Sequence, residues 1–245
     1  MTLTKQITPA ITQIEELVAD IPGWTPLDQL YTLFTLIYSV SGLDGDIVEI
    51  GSWCGRSAAV LGMAARMTGV KAVHCVDLFP EKQDWVVSEE GHHYFKVKID
   101  ETEHVGYKGF GGVWEEPYSR DIAPLYEKHG SIYGIFKDTI SRKDMADLVK
   151  VCRGTSDTFA ASAPAGFRCK LAFIDGDHSY EPVCADIRNM DRCLVPGGWL
   201  AFDDAFSVYE GVNRAIQELV INNPRYELGQ QMARKLFIAR KKSDA

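Results

Sequence analysis

The 245-residue chain is short of positive charge: 26 Lys and Arg stand against 34 Asp and Glu, a formal net charge of −8. Binding a phosphate backbone takes a basic face, and the tail Arg240-Lys241-Lys242 is too short to make one, so nucleic acid is not an expected partner. Long apolar runs are missing too. The greasiest stretch, residues 31–40, cannot span a bilayer, and residues 1–6 lack the apolar core of a signal peptide, which predicts a cytoplasmic protein with no membrane partner. Cysteines 54, 75, 152, 169, 184 and 193 show no CxxC pair and no disulfide-framework spacing, and they read as reduced, mostly buried small side chains. Also absent is G-x-G-x-x-G. The turn at residues 49–55 is Glu-x-Gly-x-x-x-Gly, and the missing middle glycine argues against a dinucleotide pyrophosphate seated on the next helix.

What is present is an alternation of strands and helices. Ile11, Ile14, Leu17 and Val18 put a helix at residues 7–19, stopped by Ile21-Pro22-Gly23. A second follows, with Thr25 as cap, Pro26 in first position, and Leu27, Leu30, Tyr31, Phe34, Ile37 and Tyr38 on one face. Residues 1–42 therefore read as a helical cover that lies on a sheet edge, lines the site or forms the surface of a homodimer. Residues 43–245 read as one α/β domain. Its first unit is a strand at 46–50, a glycine turn, a helix at 58–67 and a strand at 71–76 ending in Asp77. Residues 79–136 then lose regularity and are too long for a plain connection, so they predict an insertion or lid in which Tyr94, Tyr107, Phe110 and Trp114 can stack on a sugar or phenol.

Beyond the insertion the pattern gives a short helix near 141–146 and strands at 148–152 and 171–174. A helix bearing Val183, Ile187, Met190 and Leu194 follows, then a turn at Pro196-Gly197-Gly198 and a strand at 199–202. A helix through Val212, Ile216, Leu219 and Val220 precedes closing strands at 226–228 and 236–239. Such an order implies a mostly parallel sheet covered on both faces, with strand ends on one rim. Glu49, Gly51, Asp77, Gly154, Asp175, Asp203 and Asp204 fall on that rim.

Their chemistry suggests a ligand. Gly51 and Gly55 permit close approach, and Asp77 stands about 20 residues past the turn, where an acid accepts from a ribose diol; the alternative is a packing turn with a solvated aspartate. Asp175, Asp203 and Asp204 can form an oxygen-rich half-cage for a hard divalent cation, unless Asp204 only caps its turn. His178 can act as general base or simply bond backbone at a helix start, where Asp177 reads as an N-cap. His92-His93 reads as exposed loop, and His74 as core.

Taken together, Val48-Glu49-Ile50-Gly51-Ser52-Trp53-Cys54-Gly55-Arg56-Ser57, Asp77, the run from Phe173 to Glu181 containing Ile-Asp-Gly-Asp-His-Ser-Tyr-Glu, and the run from Pro196 to Asp204 resemble the class I S-adenosylmethionine-dependent methyltransferases. More narrowly, they look like bacterial small-molecule methyltransferases with an IDGDHSYE-type signature. The resemblance covers residues 45–80 and 145–240. It implies a Rossmann-like fold with a mostly parallel seven-stranded sheet and helices on both faces, S-adenosylmethionine as cofactor and a small-molecule acceptor. By it, Glu49, Gly51 and Ser52 face the methionine moiety, Asp77 the ribose, and Gly154, Thr155 and Ser156 the adenine, with Gly55, Ser57, Asp175, Gly176 and His178 also around the cofactor. Related catechol and caffeoyl-type O-methyltransferases hold Mg2+ at the positions of Asp175, Asp203 and Asp204. They place a lysine base where this chain has His178, whereas macrolide sugar O-methyltransferases of similar pattern offer a histidine. The expectation is metal-assisted O-methylation of a sugar, phenol or natural-product intermediate. Metal-independent N- or C-methylation, a nicotinamide-dependent oxidoreductase and a non-catalytic cofactor-binding protein are the alternatives.

Overall fold

A computed structural model describes residues 4–108 and 111–243. Two helices lead, α1 (Thr4–Val18) and α2 (Leu27–Ser39), followed by β1 (Asp46–Ile50), α3 (Arg56–Thr68) and β2 (Val73–Asp77). A three-stranded antiparallel sheet comes next, β3 (Trp85–Val87), β4 (His93–Ile99) and β5 (Thr102–Gly106). The chain then turns helical through α4 (Glu115–Pro117), a π-helical turn at Tyr118–Ile122, α5 (Ala123–His129) and α6 (Ile132–Arg142). The main sheet resumes with β6 (Val149–Arg153), α7 (Ser156–Ser162), β7 (Cys169–Ile174), α8 (Tyr180–Cys193) and β8 (Leu194–Phe202). It ends with α9 (Glu210–Ile216), β9 (Tyr226–Ala233) and β10 (Leu236–Lys241).

The main sheet has seven strands in the order β6-β2-β1-β7-β8-β10-β9, parallel except for β10, which runs against both neighbours. Every residue of β7 is buried, the continuous burial that a central parallel strand covered on both faces requires. One core, including Ile14, Leu33, Leu61 and Phe136, lies under α1, α2, α3 and α6. The other, including Phe159, Ile187, Met190 and Ile216, lies under α7, α8 and α9. Fully burying one such Leu, Ile or Phe contributes about 1.5–3 kcal/mol. Strand order reverses between β1 and β7, and a ligand crevice belongs at the carboxyl ends there. Among the described residues, no helix is long and apolar enough to cross a membrane.

Arg56 ties the leading helices to this crevice. Its Nη1 donates to the carbonyls of Val18 and Ile21 at 2.7 and 2.9 Å, and its Nε to that of Thr25 at 3.0 Å. The linker between α1 and α2 is thereby held against the turn after β1.

Several local expectations shift. Pro26, not Thr25, takes the N-cap position of α2, with no side-chain cap bond. The helix expected near residues 141–146 is the end of α6, which begins at Ile132 behind a Ser131 cap donated to by Gly134 N at 3.1 Å. Leu194 leaves α8 and opens β8, which also contains Pro196-Gly197-Gly198; a register shift opposite Cys169 and Leu171 absorbs that expected turn. Residues 79–136 are regular over much of their length rather than patternless. His93 is buried in β4, its Nε2 2.7 Å from Glu115 Oε2 and its ring stacked on Tyr118 at 3.7 Å, and His92 is half-buried, so the pair is not exposed loop. Phe110, one of the expected lid aromatics, lies outside the described residues. The six cysteines are free, four of them buried.

Candidate active site

A cavity of about 760 Å³ opens over the carboxyl ends of β1, β2, β6, β7 and β8. Its depth rests on one close approach. Gly51 has φ 88°, and a Cβ there would stand 2.1 Å from the Asp175 carbonyl oxygen, so only glycine lets the turns after β1 and β7 meet. Asp175 N donates to Ile50 O at 2.8 Å and seals the contact.

Gly51, Ser52, Ser57, Asp77, Gly154, Thr155, Ser156, Asp175, Gly176 and His178 all line the cavity. Gly55 lies behind the wall as the left-handed N-cap of α3, and Glu49 is fully buried beneath the turn. Neither Glu49 carboxylate oxygen has a hydrogen-bond partner among the described residues, nor does Ser52 Oγ. Burial pushes the Glu49 pKa up to about 7, against the pull of the nearby Ser52, Ser57 and Cys75 side chains. Asp77 holds the turn: Oδ2 accepts from Ser52 N and Trp53 N, both at 2.8 Å, and Oδ1 from Phe79 N at 2.6 Å. Thr155 caps α7 in a reciprocal box with Thr158. Near it Asp186 is buried, and its pKa rises to about 7 through burial, opposed by a bond to Ser156.

At the other end Asp175, Asp203 and Asp204 each present a carboxylate oxygen within 4.8 Å of the others. This all-oxygen donor set suits a hard divalent cation such as Mg2+. Burial and then repulsion from Asp203 and Asp204 raise the Asp175 pKa well above the carboxylate range. Burial also raises Asp203. For Asp204 burial acts upward as well, but His178 and Lys235 together hold it below its ordinary value.

His178 Nε2 lies 2.8 Å from Asp204 Oδ2, and its Nδ1 is buried with no partner among the described residues. The ring stands between Tyr107, with centroids 5.2 Å apart, and Tyr209 at 3.9 Å, both nearly parallel to it. Asp177, expected as a helix cap, joins two segments: Oδ1 accepts from Ser179 N at 2.6 Å and Oδ2 from Tyr107 N at 2.8 Å, docking the end of β5 onto the turn after β7. Trp24, Trp53 and Trp114 line the same cavity, Trp24 and Trp53 with ring centroids 5.5 Å apart. His74, placed in the core by the sequence, is half-buried, 2.9 Å from Asp46 Oδ2 and edge-on to Phe167.

Two neighbours of the acidic cluster escape sequence reasoning. Gln29 of α2 is wholly buried and donates from Nε2 to Asp203 Oδ1 at 3.0 Å. Lys235, in the turn between β9 and β10, contacts Asp204 Oδ1 and lies 3.5 Å from Asp203 Oδ2. A polar residue in an otherwise amphipathic helix and a lysine in a hairpin turn both look like solvated surface in a sequence.

Comparison with known proteins agrees with this architecture. The family described as "Methyltransferase domain" matches residues 48–205, more than half of the chain. Among solved structures, the O-methyltransferase NovP shares 15% identity over 98% of this chain and 99% of its own, with a TM-score of 0.65. An O-methyltransferase from Bacillus cereus in complex with SAH shares 17% over 96% and 91%, with a TM-score of 0.54. TomG from Streptomyces achromogenes, an O-methyltransferase involved in tomaymycin synthesis and solved with SAM, shares 12% over 95% and 89%, with a TM-score of 0.53. At these identities the structures speak for the fold, and the nicotinamide-dependent alternative gives way to the family match. The chain belongs to the methyltransferase-domain family and has the Rossmann-like fold of the class I S-adenosylmethionine-dependent methyltransferases.

Proposed function

We propose that this methyltransferase methylates a hydroxyl oxygen of a small molecule, with Asp175, Asp203 and Asp204 holding a divalent cation and His178 acting as base. The observation that carries the reading is the bond from His178 to Asp204 inside a cluster of three strand-end carboxylates. Gly51, Ser52, Ser57, Asp77, Gly154, Thr155, Ser156 and Gly176 would surround S-adenosylmethionine, with Glu49 and Gly55 supporting the turn from behind. The cofactor would supply an electrophilic methyl group, and a bound divalent cation would lower the pKa of the acceptor hydroxyl. The cavity volume falls in the range of small-molecule sites. The similar solved structures, all O-methyltransferases, support oxygen as the acceptor atom.

The tautomer of His178 follows from its surroundings. Asp204 is held in its ionised form and can only accept, so a neutral His178 carries its proton on Nε2 and donates it there. Its lone pair then sits on Nδ1, the nitrogen with no partner among the described residues, and the hydroxyl proton would be taken there. The imidazolium so formed is stabilised by Asp204, and Tyr107 and Tyr209 keep the ring from turning away. The bond between Tyr107 and Asp177 keeps the antiparallel sheet over this end and limits the access of water.

A second reading, N- or C-methylation without metal, is favoured by Lys235, which already offsets part of the acidic charge. One assay separates the two: transfer of a labelled methyl group from S-adenosylmethionine to a panel of phenols and sugars, with EDTA and after Mg2+ is restored. Activity lost in EDTA and regained with Mg2+, with the label on oxygen, is the expected result. Full activity in EDTA eliminates the metal, and label on nitrogen or carbon eliminates the oxygen acceptor.

A further inference from the structure

We propose that Lys235 is a tethered counter-cation, occupying the side of the acidic cluster that a divalent ion must take and thereby setting that ion's affinity. The inference deepens the proposed function and rests on its reading of the cluster as a cation site.

The oxygens of the acidic pair are shared out among protein donors. Asp203 Oδ1 accepts from Gln29 Nε2 at 3.0 Å and from Asp204 N at 2.8 Å. Asp204 Oδ2 faces His178 Nε2 at 2.8 Å. The remaining two, Asp204 Oδ1 and Asp203 Oδ2, face the Lys235 ammonium. A divalent ion seated among Asp175, Asp203 and Asp204 has to draw its Asp203 and Asp204 oxygens from this set, and those facing Lys235 are bound by charge to one flexible chain rather than to a fixed ring or amide. Occupation by the ion is therefore an exchange of cations, with the ammonium moving out as the metal moves in.

Lys235 is also placed for this task by its backbone. Its carbonyl accepts from Ala205 N at 2.9 Å, one residue past the acidic pair. Its predecessor Arg234 has φ 46° and donates from Nε to Asp28 Oδ2 at 2.9 Å, beside Gln29. The turn between β9 and β10 is thus fastened at two points, and the ammonium is delivered to the carboxylates from a fixed base. A site kept by an internal cation resists collapse or repulsion when no metal is bound, at the expense of affinity when one is.

The test is Mn2+ binding to the whole protein with no acceptor present, followed by the electron paramagnetic resonance of free Mn2+. Lys235→Met keeps much of the side-chain length and removes the charge; it should bind Mn2+ at least tenfold more tightly than the parent, whereas Lys235→Arg should stay within threefold. Asp203→Asn should abolish tight binding in the Lys235→Met background. Mn2+ affinity unchanged or weakened in Lys235→Met, while the parent binds, overturns the competition alone. No binding by either protein overturns the cation site itself and the competition with it, and binding that survives Asp203→Asn places the ion elsewhere and overturns the proposal. Lys235→Gln, read the same way, serves if the methionine variant does not fold as judged by circular dichroism.

Discussion

Replacing Gly51 by alanine tests the contact that forms the floor of the cavity. Two costs combine. A residue with a Cβ at positive φ loses about 1–2 kcal/mol, and the added carbon, 2.1 Å from the Asp175 carbonyl oxygen and 2.8 Å from Gly176 Cα, overlaps backbone that cannot rotate aside. Relief requires the ends of β1 and β7 to part, straining the 2.8 Å bonds from Asp175 N to Ile50 O and from Gly51 N to Val76 O. Overpacking of this kind costs about 1–3 kcal/mol, so the sum is about 2–5 kcal/mol. At about 2–4 °C per kcal/mol for a domain of this size, the melting temperature should fall by about 10 °C. Gly69→Ala is the control, because Gly69 has φ 74° with nothing within 4 Å of its built Cβ and so bears the conformational cost without the overlap. It should fall by about 4–5 °C in the same calorimetric or circular-dichroism melt. If the two variants melt within 2 °C of each other, the close approach is not what fixes Gly51.

Arg56→Met should cost about 2–4 kcal/mol by leaving the carbonyls of Val18, Ile21 and Thr25 without their donor, and hydrogen exchange should rise first in the linker between α1 and α2; uniform acceleration across the sheet would contradict that account. The pKa of Glu49, about 7 when folded against 4.5 as a free side chain, means that the folded state binds more protons between those values. Its contribution to stability is therefore greatest below pH 4.5 and is lost as pH rises to about 7, by about 3 kcal/mol. Glu49→Gln should flatten the melting temperature across that window, and an unaltered slope assigns the effect to other buried acids such as Asp186. His178→Asn should lower kcat by about 10²–10⁴ while S-adenosylhomocysteine still binds within threefold by calorimetry; an equal loss in both measurements points to a role in cofactor binding instead.

The central strands and their acidic ends are legible in the sequence because burial on both faces leaves an uninterrupted apolar run, as in Leu171 to Ile174, and the first polar residue past it must lie on the rim. The antiparallel sheet carries a readable signal as well. Phe95 and Val97 are buried and Lys96 and Lys98 exposed, a period of two obscured by the glycines and acids on either side. For α6, Ile132, Ile135, Phe136, Thr139 and Ile140 supply helical spacing behind a serine cap, a legible helix signal inside the insertion. Leu194 is different: four residues past Met190, it fits the periodicity of α8 whether the helix continues or stops, and only its pairing with Cys169 decides. No local pattern announces Gln29 or Lys235, because their partners lie 174 and 31 residues away and the contacts exist only in three dimensions.

The clasp around Asp203 and Asp204 has a consequence for how the protein is made. Gln29 comes from near the beginning of the chain, Lys235 from near its end, and the carboxylates they bind from in between. As a ribosome delivers the chain, the acidic pair emerges and waits for about thirty further residues before its positive partner exists, and contacts of such separation form late. Charge balance at this acidic rim is therefore completed only when the β9–β10 turn docks: until Lys235 arrives, Asp203 and Asp204 repel each other without their ammonium partner.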